Sequence, residues 1–182
     1  WAGVSQAFRA PNLSDLTRLD SARSNEFETG STNLEPEEYV SYEFGLKTRY
    51  DHVTATASYF YNDIDGMILR SPTGQTNADG EVIVTKSNAG DGYVHGVELA
   101  GRWRFHPQFT LFGAGTILYG EVETFPDSTT RKEEEPLTRL MPPTAHLGVR
   151  WDHPTRHLWV EGLCSMADDA DHLNTRDKAD TN

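Results

Sequence analysis

Along most of the chain, apolar and polar residues alternate with a period of two. Between Glu38 and Tyr50, Val40, Tyr42, Phe44 and Leu46 interleave with Ser41, Glu43, Gly45, Lys47 and Arg49. A helix would bring apolar residues three and four apart into register, so this segment is predicted to be a strand with one apolar and one charged face. After Asp51-His52 a second run sets Val53, Ala55, Ala57, Tyr59 and Tyr61 against Thr54, Thr56, Ser58 and Asn62, with Phe60 interrupting the alternation. Two intervening residues suffice only for a tight antiparallel hairpin, so these strands are expected to be neighbours.

The arrangement recurs twice. Val97, Leu99, Trp103 and Phe105 alternate with Gly96, Glu98, Ala100, Arg102 and Arg104, and after His106-Pro107-Gln108 a strand follows from Phe109 to Tyr119. Farther on, Ala145, Leu147, Val149 and Trp151 oppose Thr144, His146, Gly148 and Arg150. A turn over Asp152–Thr155 then leads into Leu158, Val160, Gly162, Cys164 and Met166. The other connections, over 9–37, 71–80, 121–138 and from Ala167 onward, are rich in Pro, Gly, Asn, Asp, Ser and Thr and read as long loops. Short turns at one end and long loops at the other are the habit of an outer-membrane barrel between its periplasmic and extracellular sides. Tyr50, Trp103, Phe105 and Trp151 fall near the short turns and Tyr59 and Tyr61 toward the loops, as interfacial aromatic belts would. A soluble sandwich or jelly roll with these rings in its core is the alternative that pattern alone leaves open.

Composition then adjusts the picture. Hydrophobic residues make up 36% and charged residues 24% of the 182 residues, and the mean hydropathy is -0.61. No apolar run approaches the roughly 20 residues of a spanning helix. Barrel strands offer only alternate residues to lipid, so low mean hydropathy is compatible with the membrane. The net charge of -12 argues against a nucleic-acid partner, which would require clustered Lys and Arg to neutralise phosphates. The chain opens at Trp1 inside an alternation, without an initiator Met or signal-peptide h-region, and ends in a polar run, so it is expected to be a piece of a longer protein.

Candidates for chemistry are few. Cys164 alone makes neither an internal disulfide nor a thiolate zinc site and is read as a small hydrophobe. Glu133-Glu134-Glu135, and Asp168-Asp169 with Asp171 and His172, carry oxygen ligands for a divalent cation but lack EF-hand spacing, so solvated acidic loops are the plainer reading. His146 and His157 are expected on the polar side of adjacent strands, close enough to approach one another but without a third ligand. Glu43, Lys47, Glu98, Arg102, Arg104, His146 and Arg150 share the inward, lumen-facing side, where charges pair with each other, with water or with a plug. Gly45 and Gly96 on that side leave room for a plug or mark a bulge. No nucleophile elbow, phosphate loop or zinc-protease motif is present, so neither catalysis nor a cofactor is implied.

Several segments, in order, resemble one family. Phe8-Arg9-Ala10-Pro11-Asn12-Leu13-Ser14-Asp15-Leu16 is similar to the segment at the lip of a late barrel strand in TonB-dependent receptors. Asn33-Leu34-Glu35-Pro36-Glu37 followed by Tyr42-Glu43-Phe44-Gly45-Leu46-Lys47 resembles their NLxPE and YExGxK stretches. The likeness continues through Tyr59-Phe60-Tyr61-Asn62-Asp63-Ile64, Asn88-Ala89-Gly90, Gly96-Val97-Glu98-Leu99 and Arg139-Leu140-Met141-Pro142-Pro143. It covers nearly the whole chain. The resemblance implies an all-β fold: an antiparallel meander of about seven strands, cut from the carboxy-terminal part of a closed transmembrane wall of about 22 strands. Residues 1–182 would then be a partial barrel domain, the plug, the TonB-contacting box and the closing strands having no counterpart in it. It also implies a cell outer membrane location in a Gram-negative-type bacterium. The partners would be outer-membrane lipid, the plug of the same parent chain, the TonB energy-coupling complex and a small-molecule nutrient such as a ferric siderophore, haem or cobalamin. A passive porin-like barrel or a soluble all-β binding module is the alternative function class.

Overall fold

The computed structural model describes residues 1–23, 25–170 and 172–175. Among the described residues it is a single, mainly antiparallel sheet with one short helix. In chain order the elements are β1 (Ala2–Arg9), α1 (Leu13–Thr17), β2 (Asp20–Arg23), β3 (Glu26–Thr29), β4 (Glu37–Arg49) and β5 (Val53–Thr76). They continue with β6 (Val82–His106), β7 (Phe109–Thr124), β8 (Glu133–Pro136), β9 (Thr144–Asp152) and β10 (Trp159–Ala167). The main path runs β1-β4-β5-β6-β7-β9-β10, and β2, β3 and β8 attach beside it. This is the seven-strand meander expected from the alternation, with three short strands added at one end.

The short turns form where the pattern predicts them. Asp51-His52 is closed by Tyr50 and Val53, whose amides donate to each other's carbonyls at 2.7 and 3.3 Å. Pro107-Gln108 links the facing pair His106 and Phe109. The third connection is longer than the expected Asp152–Thr155: it runs over 153–158, closed by the His153 amide donating to the Leu158 carbonyl at 2.9 Å.

Register sorts the side chains into two faces, because residues directly opposite each other share a side. One row across the sheet is Glu43, Phe60, Gly96 and Leu118; a second is Lys47, Thr56, Ala100, Ala114, His146 and Ser165; a third is Arg49, Thr54, Arg102, Phe112 and Gly148. Glu98 lies between the first two rows, opposite Ser58 and Thr116, and Arg150 lies opposite Thr110. Arg104 belongs to the same face, since the rings of Trp103 and Phe105 on either side of it pack together at 5.7 Å on the other. That other face is apolar: Leu46, Ala57, Leu99, Gly115, Ala145 and Met166 form one row, and Val53, Trp103, Leu111, Val149 and Gly162 another.

Among the described residues no second layer covers the apolar face. Phe44, Leu46, Leu99, Ile117 and Leu147 are half or more exposed, whereas the buried apolar side chains Ile64, Ile68, Val84, Val122 and Phe125 all lie at the loop end. A soluble sandwich would bury the first set between two sheets. Among the described residues no helix is long and apolar enough to cross a membrane.

Several expectations about the loops and the glycines are corrected. The stretch 71–80 is mostly strand: β5 continues to Thr76 and β6 begins at Val82, so only a tight turn around Asn77–Glu81 remains. Likewise β7 runs on to Thr124 and pairs with β8, and the 9–37 connection holds α1 and the β2–β3 hairpin. Phe60 interrupts the apolar-polar alternation without shifting the register: it stays opposite Gly96 and places its ring on the polar face. The space over Gly45 and Gly96 is also neither a bulge nor vacant. A Cβ at Gly96 would meet the Ile117 carbonyl at 2.7 Å, Leu118 at 2.8 Å and the Phe60 ring at 3.0 Å, and the Trp1 ring lies across Gly45.

Candidate functional site: the loop-end seat and the polar face

The loop end is assembled from the segments that carried the family resemblance. Asn12 caps α1: its side chain accepts from the Asp15 amide at 2.9 Å, and Asp15 accepts from the Asn12 amide at 3.1 Å, which satisfies two orphan donors of the helix start. Asp15 also accepts from Arg9 Nη1 at 3.1 Å. The rest of the Arg9 fork grips Glu37, its cross-strand partner, with Nε on Oε2 at 2.7 Å and Nη2 on Oε1 at 2.5 Å. Ala10 and Pro11 bridge strand to cap, and Pro11 forfeits no ladder bond there. Glu37 is nearly fully buried and accepts further from the Tyr39 hydroxyl and, at 2.7 Å, from the Ile68 amide. Burial pushes its carboxyl toward the neutral form, but bonds from Arg9, Tyr39 and the Ile68 amide outweigh that and leave its pKa below the ordinary value. Burial and the bond to Glu37 push the Tyr39 hydroxyl up to about 12.

Asn88 ties the next motif in. It donates to the Glu35 and Gly66 carbonyls at 2.8 and 2.7 Å and accepts from the Glu35 amide at 2.9 Å. Asn33, Leu34 and Pro36 are thereby held as a strap leading into Glu37. Gly66 sits at a break in the β5–β6 register with φ of 64°, a left-handed conformation that favours glycine.

Beyond this, β3 lies parallel to the outer part of β6, with Glu28 opposite Val84. Glu28 is fully buried, and its carboxylate meets Arg70 Nε at 3.1 Å, Arg18 Nε at 3.6 Å and Lys86 Nζ at 3.9 Å. Glu26 meets Arg70 Nη1 at 3.6 Å and accepts from Ser128 at 2.8 Å, which links the 125–132 loop to the hairpin. Desolvation draws the Lys86 ammonium below its ordinary pKa despite Glu28. Sequence reading missed Glu26, Glu28, Arg70 and Lys86, and it held Asp15 only as part of the resembling segment, without a role. The capping-box spacing of Asn12 and Asp15 was a legible signal, whereas nothing local marks the others.

An aromatic row lies below this seat on the apolar face. Tyr61, Tyr93, His95 and Tyr119 stack or tilt against one another with centroids 5.6 to 6.3 Å apart, and Tyr59 joins His95 at 5.9 Å. At the turn end Trp103, Phe105 and Phe109 form the matching belt. Phe8 is exposed on the same apolar face, while Asn62 joins Ser41 on the polar one. Pro142 and Pro143 precede β9, where the Pro143 carbonyl accepts from the Asp168 amide at 2.9 Å.

The anticipated approach of two histidines does not occur. His146 Nδ1 bonds Ser165 at 2.9 Å in mid-hairpin, and His157 lies in the turn at the hairpin's far end. Among the described residues no group of three or more His, Cys, Asp and Glu is placed to hold a metal ion. Glu133 pairs with Arg131, and Glu135 is buried and accepts from Thr175. Asp171 lies outside the described residues.

The copper transporter OprC is similar over 96% of this chain and 25% of its own, with 16% identity and a TM-score of 0.68. The siderophore receptor PirA from Pseudomonas aeruginosa matches over 90% of this chain and 35% of its own, at 23% identity and a TM-score of 0.57. A variant of the ferric enterobactin receptor PfeA of the same organism matches over 85% and 30%, at 17% identity and a TM-score of 0.54. The chain thus spans about a quarter to a third of the length of these proteins. No curated protein sequence matches it. The family model for TonB dependent receptor-like β-barrels matches residues 1–180. The chain therefore belongs to the β-barrel family of TonB-dependent receptors, which are outer-membrane proteins of Gram-negative bacteria.

Proposed function

We propose that this chain is part of the barrel wall of a receptor that imports a scarce nutrient, a ferric siderophore, haem or cobalamin, with energy supplied through TonB. The observation that carries the reading is the family match over residues 1–180 in a single-layer, two-faced sheet that is built up at one end only. The apolar face meets lipid between the two aromatic belts. The polar face, with Glu43, Lys47, Glu98, Arg102, Arg104, His146 and Arg150, lines the lumen. The loop end, with α1 and the β2–β3 hairpin, stands outside the cell. Residues 1–182 form a partial barrel domain, with the plug, the TonB-contacting box and the closing strands contributed by other parts of the parent protein. The cargoes named for the similar structures, copper and siderophores, support a metal-bearing nutrient.

Uptake of radio-iron chelates, haem and cobalamin by cells carrying the full receptor, with and without TonB, tests this. TonB-dependent accumulation of one of them is expected. TonB-independent passage of small solutes would instead establish a passive porin, and a monodisperse, detergent-free full protein would establish a soluble binding module.

A further inference from the structure

Two tyrosines and a glutamate converge where β6 and β7 climb past the apolar rows. Tyr93 stands directly opposite Glu121 across the ladder, and Tyr119 lies two residues before Glu121 on β7, so all three side chains leave the same face of the sheet. The Tyr93 hydroxyl donates to Glu121 Oε2 at 3.0 Å, and the Tyr119 hydroxyl donates to Oε1 at 2.5 Å. The two hydroxyls also lie close enough to interact with each other. Tyrosines of an interfacial belt ordinarily send their hydroxyls to headgroups and water. Here both turn to one carboxylate, and the hard oxygen atoms of three side chains meet in one place.

The surroundings add a nitrogen donor and negative charge. His172 meets the Tyr119 ring edge-on at 6.0 Å, and His95 packs between the two tyrosine rings at 5.8 and 5.6 Å. Asp63 faces Tyr93 from β5, and Glu134 is the diagonal neighbour of Glu121 on β8. Carboxylates and imidazoles alone make no metal site among the described residues, so phenol oxygens are what completes this one. A phenol becomes a ligand only on losing its proton, and with an ordinary pKa of about 10 it yields that proton at neutral pH only to a strongly acidic cation. Two phenolates and one carboxylate carry three negative charges, which match a trivalent ion and overcompensate a divalent one. The set holds no sulfur, which disfavours soft Cu(I).

We propose that Tyr93, Tyr119 and Glu121, with His172 beside them, form an iron(III) site on the outward face of the wall. The ion displaces the two hydroxyl protons to water and is held by two phenolate oxygens, the carboxylate and the imidazole, with its oxidation state unchanged. The site shares the face of Val97 and Leu99, away from Glu98 and Ala100. It is therefore separate from any route through the barrel and does not depend on which nutrient the receptor imports.

The test adds iron(III) nitrilotriacetate to the full receptor in detergent. Binding should produce a visible phenolate-to-iron charge-transfer band, with tyrosinate modes in the resonance Raman spectrum, and should release about two protons per iron. Tyr93→Phe with Tyr119→Phe keeps both rings. It should abolish the band and weaken binding by more than about a hundredfold, beyond the cost of losing an outer-shell partner. Tyr61→Phe, two strands away from Tyr119, should leave the band intact. Heat-modifiable gel migration verifies that each variant keeps its barrel. An unaltered receptor that shows no such band with iron(III) would overturn the proposal, and that outcome requires no variant. A band that survives the double substitution, or one that Tyr61→Phe also removes, would overturn it as well. Colourless binding of calcium or magnesium, equal in the unaltered receptor and the double variant and with no iron(III) band, would assign the patch to a carboxylate-only cation surface and likewise overturn it.

Discussion

Arg9 and Glu37 stand 28 residues apart in sequence yet form a two-pronged ion pair across the β1–β4 ladder, with Asp15 taking the remaining arm of the guanidinium. A single side chain thereby joins the end of a strand, the cap of α1 and the start of the longest connection. Removing Arg9 leaves the buried carboxylate without its counter-charge, which costs about 3–5 kcal/mol in fully buried pairs and less here, because the Arg9 side chain is 42% exposed to water. Arg9→Met should therefore lower the denaturant midpoint of the full receptor markedly. Arg9→Met combined with Glu37→Leu should recover much of the loss, because no charge is then stranded. A single and a double variant equally damaged would refute this account.

Acid should loosen the same seat. The folded pKa of Glu37 lies below its ordinary value of 4.5, so the stabilisation is fully present above that value and is lost as pH falls through the depressed one. The raised Tyr39 works in the opposite range, its share being present below its ordinary 10.0 and lost as pH climbs toward about 12. Protease sensitivity of the 9–37 segment, measured against pH, should rise at both extremes. Glu37→Gln should flatten the acid limb.

The pairing of Phe60 with Gly96 makes a packing prediction. A side chain at position 96 meets the Ile117 carbonyl at 2.7 Å, while one at Gly162 meets nothing within 4 Å. Gly96→Val should destabilise the barrel by about 1–3 kcal/mol through overpacking. Gly162→Val, on the apolar face, should be close to neutral. Heat-modifiable migration of the two variants decides the matter, and equal tolerance would refute the close contact.

Adjacent positions test the two faces. Leu99 is in the apolar row and Ala100 in the row of Lys47 and His146. An arginine at the lipid midplane of a barrel costs about 2–4 kcal/mol, whereas a wet interior keeps it hydrated. Leu99→Arg should lower folding yield in the full receptor far more than Ala100→Arg. The reverse order would exchange the faces.

Sidedness follows from the turns and loops. Ser128 is engaged with Glu26, so its exposed neighbour Thr129 is the better probe. With Cys164 replaced, Thr129→Cys should react with a membrane-impermeant maleimide in intact cells. Asp51→Cys, in the Tyr50–Val53 turn, should react only once the outer membrane is opened. Labelling in the opposite pattern would invert the topology.

The period of two from Val40 to Arg49 and its repeats determined the strands, the tight turn at Asp51-His52 and the two faces, because alternation is written residue by residue and depends on nothing distant. The ordered motifs around Arg9, Glu37, Glu43 and Glu98 were enough to point to the family. Tertiary structure alone decided what those motifs do. Asp20–Arg23 and Glu26–Thr29 are too short and polar to announce strands, and they become strands because β6 offers β3 a free edge. The same holds for Ser71–Thr76, which extends because β6 runs alongside it. Glu28 finds Arg70 and Lys86, and Glu26 finds Ser128 across 102 residues, only once the sheet has fixed its register. A local pattern can state which way a side chain points, but its partner is set by the long-range pairing of backbones that the pattern does not encode.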